Sequence, residues 1–280
     1  MTAASREAGA APSRRRIDLS PNPLARHGQR TMKNQYFGDV NDYRKYGLLR
    51  TLQSKGNGSL LVAWMLTPDD GGRDGGFRSH FGAPATWSKY DPDLFDGLDG
   101  LLRSARQPSV SLIEGSSLLP RASYYTAVVP DGRRERDAWR SDLLRAASGI
   151  DLVFVDPDNG IEVPSRPVGR KGSSKYVAWP EIEKLWEAGC SILIYQHFPR
   201  ERRESFAKRM VSELRDRTDA PWTEALRTPH VLFLLAAQER HEKRLREAVS
   251  SLPQRWNGQV ESMRLAHNQF SGRSAARTRR

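Results

Sequence analysis

The chain of 280 residues has a single cysteine, Cys190, so no intrachain disulfide can form. That fits a reducing, cytoplasmic setting. Cys190 precedes an apolar segment and reads as a small buried hydrophobe. Long apolar runs are also missing, which excludes a membrane-spanning helix. The positive N-terminal stretch lacks the apolar segment of a secretory signal. Three signature loops are absent. Without GxGxxG there is no dinucleotide fingerprint, and without GxxxxGK[ST] there is no phosphate loop. Without GxSxG there is no esterase-like nucleophile turn. The six histidines, including His80, His230 and His241, show no zinc spacing.

What is present is basic charge and moderate apolar content. The formal net charge is +12 and 38% of residues are hydrophobic. Residues 1–30 carry six arginines and two acids, and residues 271–280 carry four arginines and no acid. Both ends are rich in small residues and read as flexible basic arms around a single α/β domain over residues 31–270. Such arms attract phosphate backbones without specificity, or serve solubility alone.

Within that domain, apolar runs alternate with helical stripes. A helix is predicted over residues 40–52, then a continuous apolar strand over 60–66 in "GSLLVAWML". "TPDDGGRDGGFRSHFG" reads as a loop. Apolar residues at 94, 95, 98, 101 and 102 form a helical stripe. Strands are predicted over 109–114, 124–129, 151–156 and 191–196, with another in "HVLFLLAA". Helices fall in "RRERDAWRSDLLRAA", over 180–188, in "RRESFAKRMVSELRDR" and in "ERHEKRLREAVSSL", and "GQVESMRLA" closes the sheet. This order predicts a Rossmann-like α/β fold: a doubly wound, mostly parallel sheet with helices on both faces.

In open α/β sheets, ligands gather beyond the carboxyl ends of strands. Polar residues recur at those predicted ends: Asp69 and Asp70, Glu114, the run Asp156, Asp158 and Asn159, then Gln196 and His197. One reading is nucleotide-cofactor binding. Glu114 would accept the ribose hydroxyls, with Asp69, Gly71 and Gly72 forming a loop that lets backbone approach the ligand. Two dense patches supply candidate substrate contacts. "NQYFGDVNDYRKYG" offers Asn34, Tyr36, Asp39, Asp42, Tyr43 and Lys45, although acids at a helix start are also ordinary caps. "YQHFPRERR" offers Phe198 for stacking on a base and Arg200 and Arg202 for phosphate.

"FGDVNDYRKYGLLR" and "FVDPDNG" carry a resemblance. They are similar to segments of the Rossmann-type S-adenosylmethionine-dependent methyltransferases, distantly to the bacterial ribosomal RNA adenine-N6 methyltransferases. The first resembles that family's N-terminal alanine-aspartate-valine-leucine-lysine segment. The second resembles the acid-Pro-Pro-aromatic motif after its fourth strand. The resemblance implies an S-adenosylmethionine cofactor and a nucleic-acid partner. It places Asp156 and Pro157 at the target amino group. Asp158 stands where the family has its second proline, and Asn159 where it has an aromatic residue.

Two other functions stay open. Asp156, Asp158 and Glu162 supply hard oxygen ligands suited to Mg²⁺ or Mn²⁺ in phosphodiester hydrolysis. Lys171 or Lys175 would steady the phosphate, and His197 would move a proton. The same basic and aromatic patches also suit a non-enzymatic nucleic-acid-binding adaptor.

Overall fold

The computed structural model describes residues 32–68 and 76–263. The arms at 1–30 and 271–280, and the predicted cofactor-loop residues Asp69, Gly71 and Gly72, lie outside the described residues. None of the described helices is long and apolar enough to cross a membrane.

The elements run α1 (Met32–Tyr36), α2 (Val40–Gln53), β1 (Leu60–Ala63), α3 (Pro84–Trp87), α4 (Pro92–Ser104), α5 (Ser111–Glu114), β2 (Ala122–Tyr125) and α6 (Arg133–Ala146). They continue with β3 (Leu152–Val155), β4 (Gly160–Ile161), β5 (Tyr176–Val177), α7 (Trp179–Glu187), β6 (Ser191–His197) and α8 (Arg203–Thr218). The last are β7 (Trp222–Arg227), β8 (Val231–Ala237), α9 (Glu239–Ser250), α10 (Leu252–Trp256) and β9 (Glu261–Ser262). Seven strands form one sheet in the order β2-β1-β3-β6-β8-β7-β9, and β4 and β5 pair as a small separate ribbon. β2, β1, β3 and β6 are mutually parallel, whereas β8 runs antiparallel to both β6 and β7.

Alternation along the strands sorts the core into two apolar clusters. Leu60, Val62, Leu152, Phe154, Leu193 and Phe233 pack with residues of α2, α4 and α9. Their neighbours Leu61, Ala63, Val153, Val155, Ile192 and Leu234 pack with residues of α6, α7 and α8. Each central strand is therefore apolar on both sides, which is why these runs are continuous in sequence.

Several element boundaries follow from local chemistry. Asp39 caps α2 by accepting from the amides of Asn41 and Asp42, both at 2.8 Å. Asp91 caps α4 in the same way, with Pro92 in the first turn. Glu181 closes the first turn of α7 by accepting from the Ala178 amide, and its carboxylate also holds buried Arg136 of α6.

The structure corrects three expectations. β1 ends at Ala63 rather than 66, because buried Met65 takes a left-handed φ of 49°. Residues 109–114 are not a strand. Val110 and Ile113, three apart, are both buried, and Ser111–Glu114 winds into a turn of helix started by the Ser109 hydroxyl. β7 was not anticipated; it forms a hairpin with β8 whose turn is held by the Thr228 hydroxyl, accepting from His230 and Val231 amides.

α2 is buried on nearly all sides, and its closest approach is at Gly47. A Cβ there would lie 1.8 Å from the Trp256 ring. Gly47→Ala is expected to cost at least about 1–3 kcal/mol through overpacking. A lowered urea midpoint at unchanged slope would register that loss.

Candidate functional site

The chain passes from β1 to β2 on one side and returns to β3 on the other, so the strand order reverses between β1 and β3. Next to this reversal, a crevice opens beyond the carboxyl ends of β3 and its neighbour β6, where ligands of open α/β sheets gather. It encloses a cavity of about 450 Å³. Tyr36, Asp39, Asn41, Asp42 and Lys45 form one wall, from α1 and α2. Asp156, Asp158 and Asn159 follow β3 on the opposite wall, with Lys175, Tyr195 and His197 beside them. The two sequence patches quoted for the resemblance, far apart along the chain, thus face each other.

Three anchors place the β3 tip. The Asp156 amide donates to Ala63 of β1 at 3.0 Å. The Thr67 hydroxyl donates to Asp158, tying the two strand tips together across the crevice. The Asn159 amide donates to Lys175 in the ribbon at 2.9 Å. Gly160 then has φ +114°, and a Cβ there would lie 2.4 Å from the Gln196 amide group. This close approach lets Gln196 accept from the Ile161 amide at 2.8 Å. Glycine after Asn159 is therefore required by both conformation and space.

The floor is a buried ionic network. The Lys45 ammonium lies 2.6 Å from Asp42 and 3.0 Å from Asp156, and all three side chains are nearly inaccessible. The rings of Tyr46, Trp64 and Tyr195 surround it at 5.2–5.8 Å. Burial by itself would lower the Lys45 pKa, but the charges of Asp156 and Asp42 outweigh it and hold the pKa well above the usual value. Lys45 is accordingly a fixed cation and no general base. Asp42 also accepts from the Gly38 amide at 3.0 Å and the Tyr46 hydroxyl at 3.2 Å. Asp39 behaves differently. Burial first, and then the charge of Asp42, push its carboxyl up to about 6, against the pull of the amides it caps and of Lys45.

Other sequence candidates fall elsewhere. Glu114 does not line the cavity; it accepts from the Trp64 indole at 2.8 Å, from a helical turn rather than a strand end. Asn34 holds Ser109 and the Val110 amide. Tyr43 is core: its hydroxyl donates to Trp87, and its ring packs on His80, Phe95 and Trp256. Glu162 accepts from the Trp179 amide and lines a neighbouring groove, so it does not join Asp156 and Asp158. Among the described residues, no three His, Cys, Asp or Glu side chains group as a metal site. Phe198 also lines that groove, and Arg200 and Arg202 lie exposed beyond it.

Lys175, read from the sequence as a phosphate contact, does line the cavity, as does Tyr195 of the "YQHFPRERR" patch; the partnership of Lys45 with Asp156 was missed. Sequence reading also missed a second constellation at the amino ends of β3 and β6. There the Ser191 hydroxyl meets His241 Nδ1 at 2.9 Å, and His241 Nε2 meets Asp151 at 2.9 Å. Ser191 has no accessible surface, so it cannot attack a substrate. The constellation pins α9 to the sheet. A larger cavity of about 850 Å³, walled by Trp222, Arg246 and β9, holds none of the strand-tip groups.

No protein-family model matches the chain, and no curated protein matches it. Among solved structures, the crystal structure of protein LPL1258 from Legionella pneumophila str. Philadelphia 1, described under family model DUF519, is similar over 82% of this chain and 96% of its own. The identity is 13% and the TM-score 0.41. A superposition that loose constrains neither fold nor chemistry.

Two outcomes follow from the ionic floor. Lys45→Met leaves two buried carboxylates facing each other and is expected to cost about 3–5 kcal/mol. Adding Asp156→Asn should recover part of that loss, and strict additivity in denaturant unfolding would contradict the coupling. For Asp39, the native state holds its proton more tightly than the unfolded chain does. The associated stability is complete below the ordinary carboxyl value of 3.8 and is lost as pH rises toward about 6. Asp39→Asn keeps a capping oxygen and removes the titration. It should flatten the pH dependence across that window and raise stability at neutral pH by about 1–3 kcal/mol.

Proposed function

We propose that the chain is a methyltransferase-like enzyme of Rossmann-like, doubly wound fold that uses S-adenosylmethionine and acts on a base amino group of nucleic acid. One observation carries this reading. The "FGDVNDYRKYG" and "FVDPDNG" patches, on which the resemblance rests, line one cavity beyond the carboxyl ends of β3 and β6. Support for the fold comes from four parallel strands and from apolar clusters on both sheet faces.

The cavity's volume lies within the usual range of small-ligand sites. Its lining contains four carboxyl groups, from Asp39, Asp42, Asp156 and Asp158, and two lysines. That surplus of acid suits a ligand carrying a sulfonium and an ammonium. When bound, the cofactor supplies an electrophilic methyl group. Glu114, engaged by Trp64, does not offer the ribose contact that the resemblance would assign it.

The chain's own residues then have defined work. The Lys45 ammonium, 3.0 Å from Asp156, fixes that carboxylate at the strand tip. In this reading the Asp156 carboxylate, which lines the cavity, is the acceptor for the target amino group. Asn159, which lines the cavity and makes no side-chain hydrogen bond among the described residues, orients the substrate base through its amide. Asp39, with a carboxyl near neutrality, takes the proton that the amine releases. Tyr36 and His197 border the opening. In the metal-dependent reading, Asp156 and Asp158 lack Glu162 as a third ligand, because Glu162 lies in the adjoining groove.

Thermal unfolding of the full chain tests the proposal. S-adenosylhomocysteine at about 100 times its dissociation constant should stabilise the fold by about 2.7 kcal/mol. Asp156→Ala should abolish methyl transfer to RNA or DNA while retaining some of that shift. Absence of any shift overturns the cofactor assignment. Stabilisation by Mn²⁺ that Asp156→Ala removes would favour hydrolysis instead.

A further inference from the structure

The cavity continues into a second depression of about 630 Å³, and Asn159 and His197 line both. Its composition differs sharply from that of the cavity. Trp179, Phe198 and Phe206 supply rings, and Val163 is 38% exposed, which is unusual for a large apolar side chain. Pro164, Pro167 and Pro199 stiffen the two lips.

Charge is sorted around this groove. Inside it, every acid already has a partner: Glu162 takes the Trp179 amide, Glu201 takes Arg209 at 2.7 Å, and Glu213 takes Arg217 at 3.2 Å. Arg209 and Arg217 also lie over the rings of Phe206 and Trp179, at 5.2 and 4.6 Å. The interior is therefore aromatic, with each carboxylate already engaged. The lips are basic. Arg166, Arg170 and Lys171 follow one lip, and Arg200 and Arg202 follow the other; all are exposed. The hydrogen bonds of Arg166 and Arg170 go to backbone carbonyls, not to carboxylates.

We infer that this groove is the track for a single-stranded stretch of nucleic acid, seating the nucleotides beside the one whose base enters the Asp156 cavity. Bases that flank the target stack at the half-buried Phe198 ring, which the Arg203 guanidinium already covers on one face at 4.8 Å, so that a base adds to an arginine–aromatic stack, while the two basic lips follow the phosphates. A positively charged margin around an aromatic bed is the arrangement that binds unpaired strands without reading their sequence. A duplex keeps its base faces stacked inside and cannot use a recessed aromatic floor. The inference rests on the nucleic-acid part of the proposed function and is independent of the cofactor.

Fluorescence anisotropy with the full chain tests it, using a short labelled single strand of mixed sequence, as RNA and as DNA, and the same strand annealed to its complement. The single strand should bind more tightly than the duplex. Phe198→Ala should weaken single-strand binding by roughly 5- to 100-fold, the loss of one base stack. Arg200→Glu with Arg202→Glu, both exposed and harmless to folding, should weaken binding most at low salt. This pair should flatten the slope of log K against log salt by roughly 0.7 for each phosphate that is no longer neutralised. Wild-type binding by both variants, equal affinity for the duplex, or no binding of either single strand overturns the inference. S-adenosylhomocysteine thermal shift separates the two ideas. Groove-dependent strand binding without a shift keeps the groove and removes the methyltransferase reading. A shift with groove-independent binding does the reverse.

Discussion

A buried ammonium joins the first long helix to the middle of the sheet. Lys45 reaches from α2 to Asp156 at the tip of β3, and the same nitrogen holds Asp42 one turn back on its own helix. Three charges removed from water are stable together only if each is paired and hydrogen-bonded. The requirement propagates outward. Asp42 must also receive Gly38 and Tyr46, Asp39 must cap the helix beside it, and α2 must pack at Gly47 against Trp256. The position of the crevice wall is thus fixed by electrostatics as much as by apolar contact.

That network also divides labour between carboxyl groups with the same chemistry. Asp156 faces a permanent cation. Asp39 lines the same cavity with its carboxyl pushed toward neutrality by burial and by Asp42. In the proposed reaction, Asp156 held by Lys45 would orient the target amine and Asp39 would accept its proton. The groove beyond Asn159 has a different character, with its carboxylates engaged and exposed cations along the lips. Chemistry and strand binding would occupy adjoining but physically distinct surfaces.

Much of the fold was legible in the residues. Continuous runs such as "SLLVAWML" and "SILIYQ" marked strands covered on both sides, and the acid Asp39 marked a helix start. Two errors have clear causes. Residues 109–114 were read as a strand, yet Val110 and Ile113 have helical spacing and the Ser109 hydroxyl starts a turn. "WTEALR" carries too little apolar character to announce β7, which exists because β8 supplies a hydrogen-bonding partner. In the site, Asp156, Asp158, Asn159 and His197 were visible as polar residues at strand ends. Glu114 and Tyr43 carried the same kind of signal and turned out to hold Trp64 and the aromatic core.

The sequence by itself determined the alternation of strands and helices, the strand-end positions of Asp156 and His197, and the helix start at Asp39, because these depend on neighbours within a few residues. Only the tertiary structure decided that Lys45 meets Asp156, 111 residues away, while Glu162, six residues from Asp156, does not share its cavity. Pairing across such a distance depends on strand order and on which face of α2 is buried. No local pattern encodes either, since both emerge from how the two apolar clusters close over the sheet.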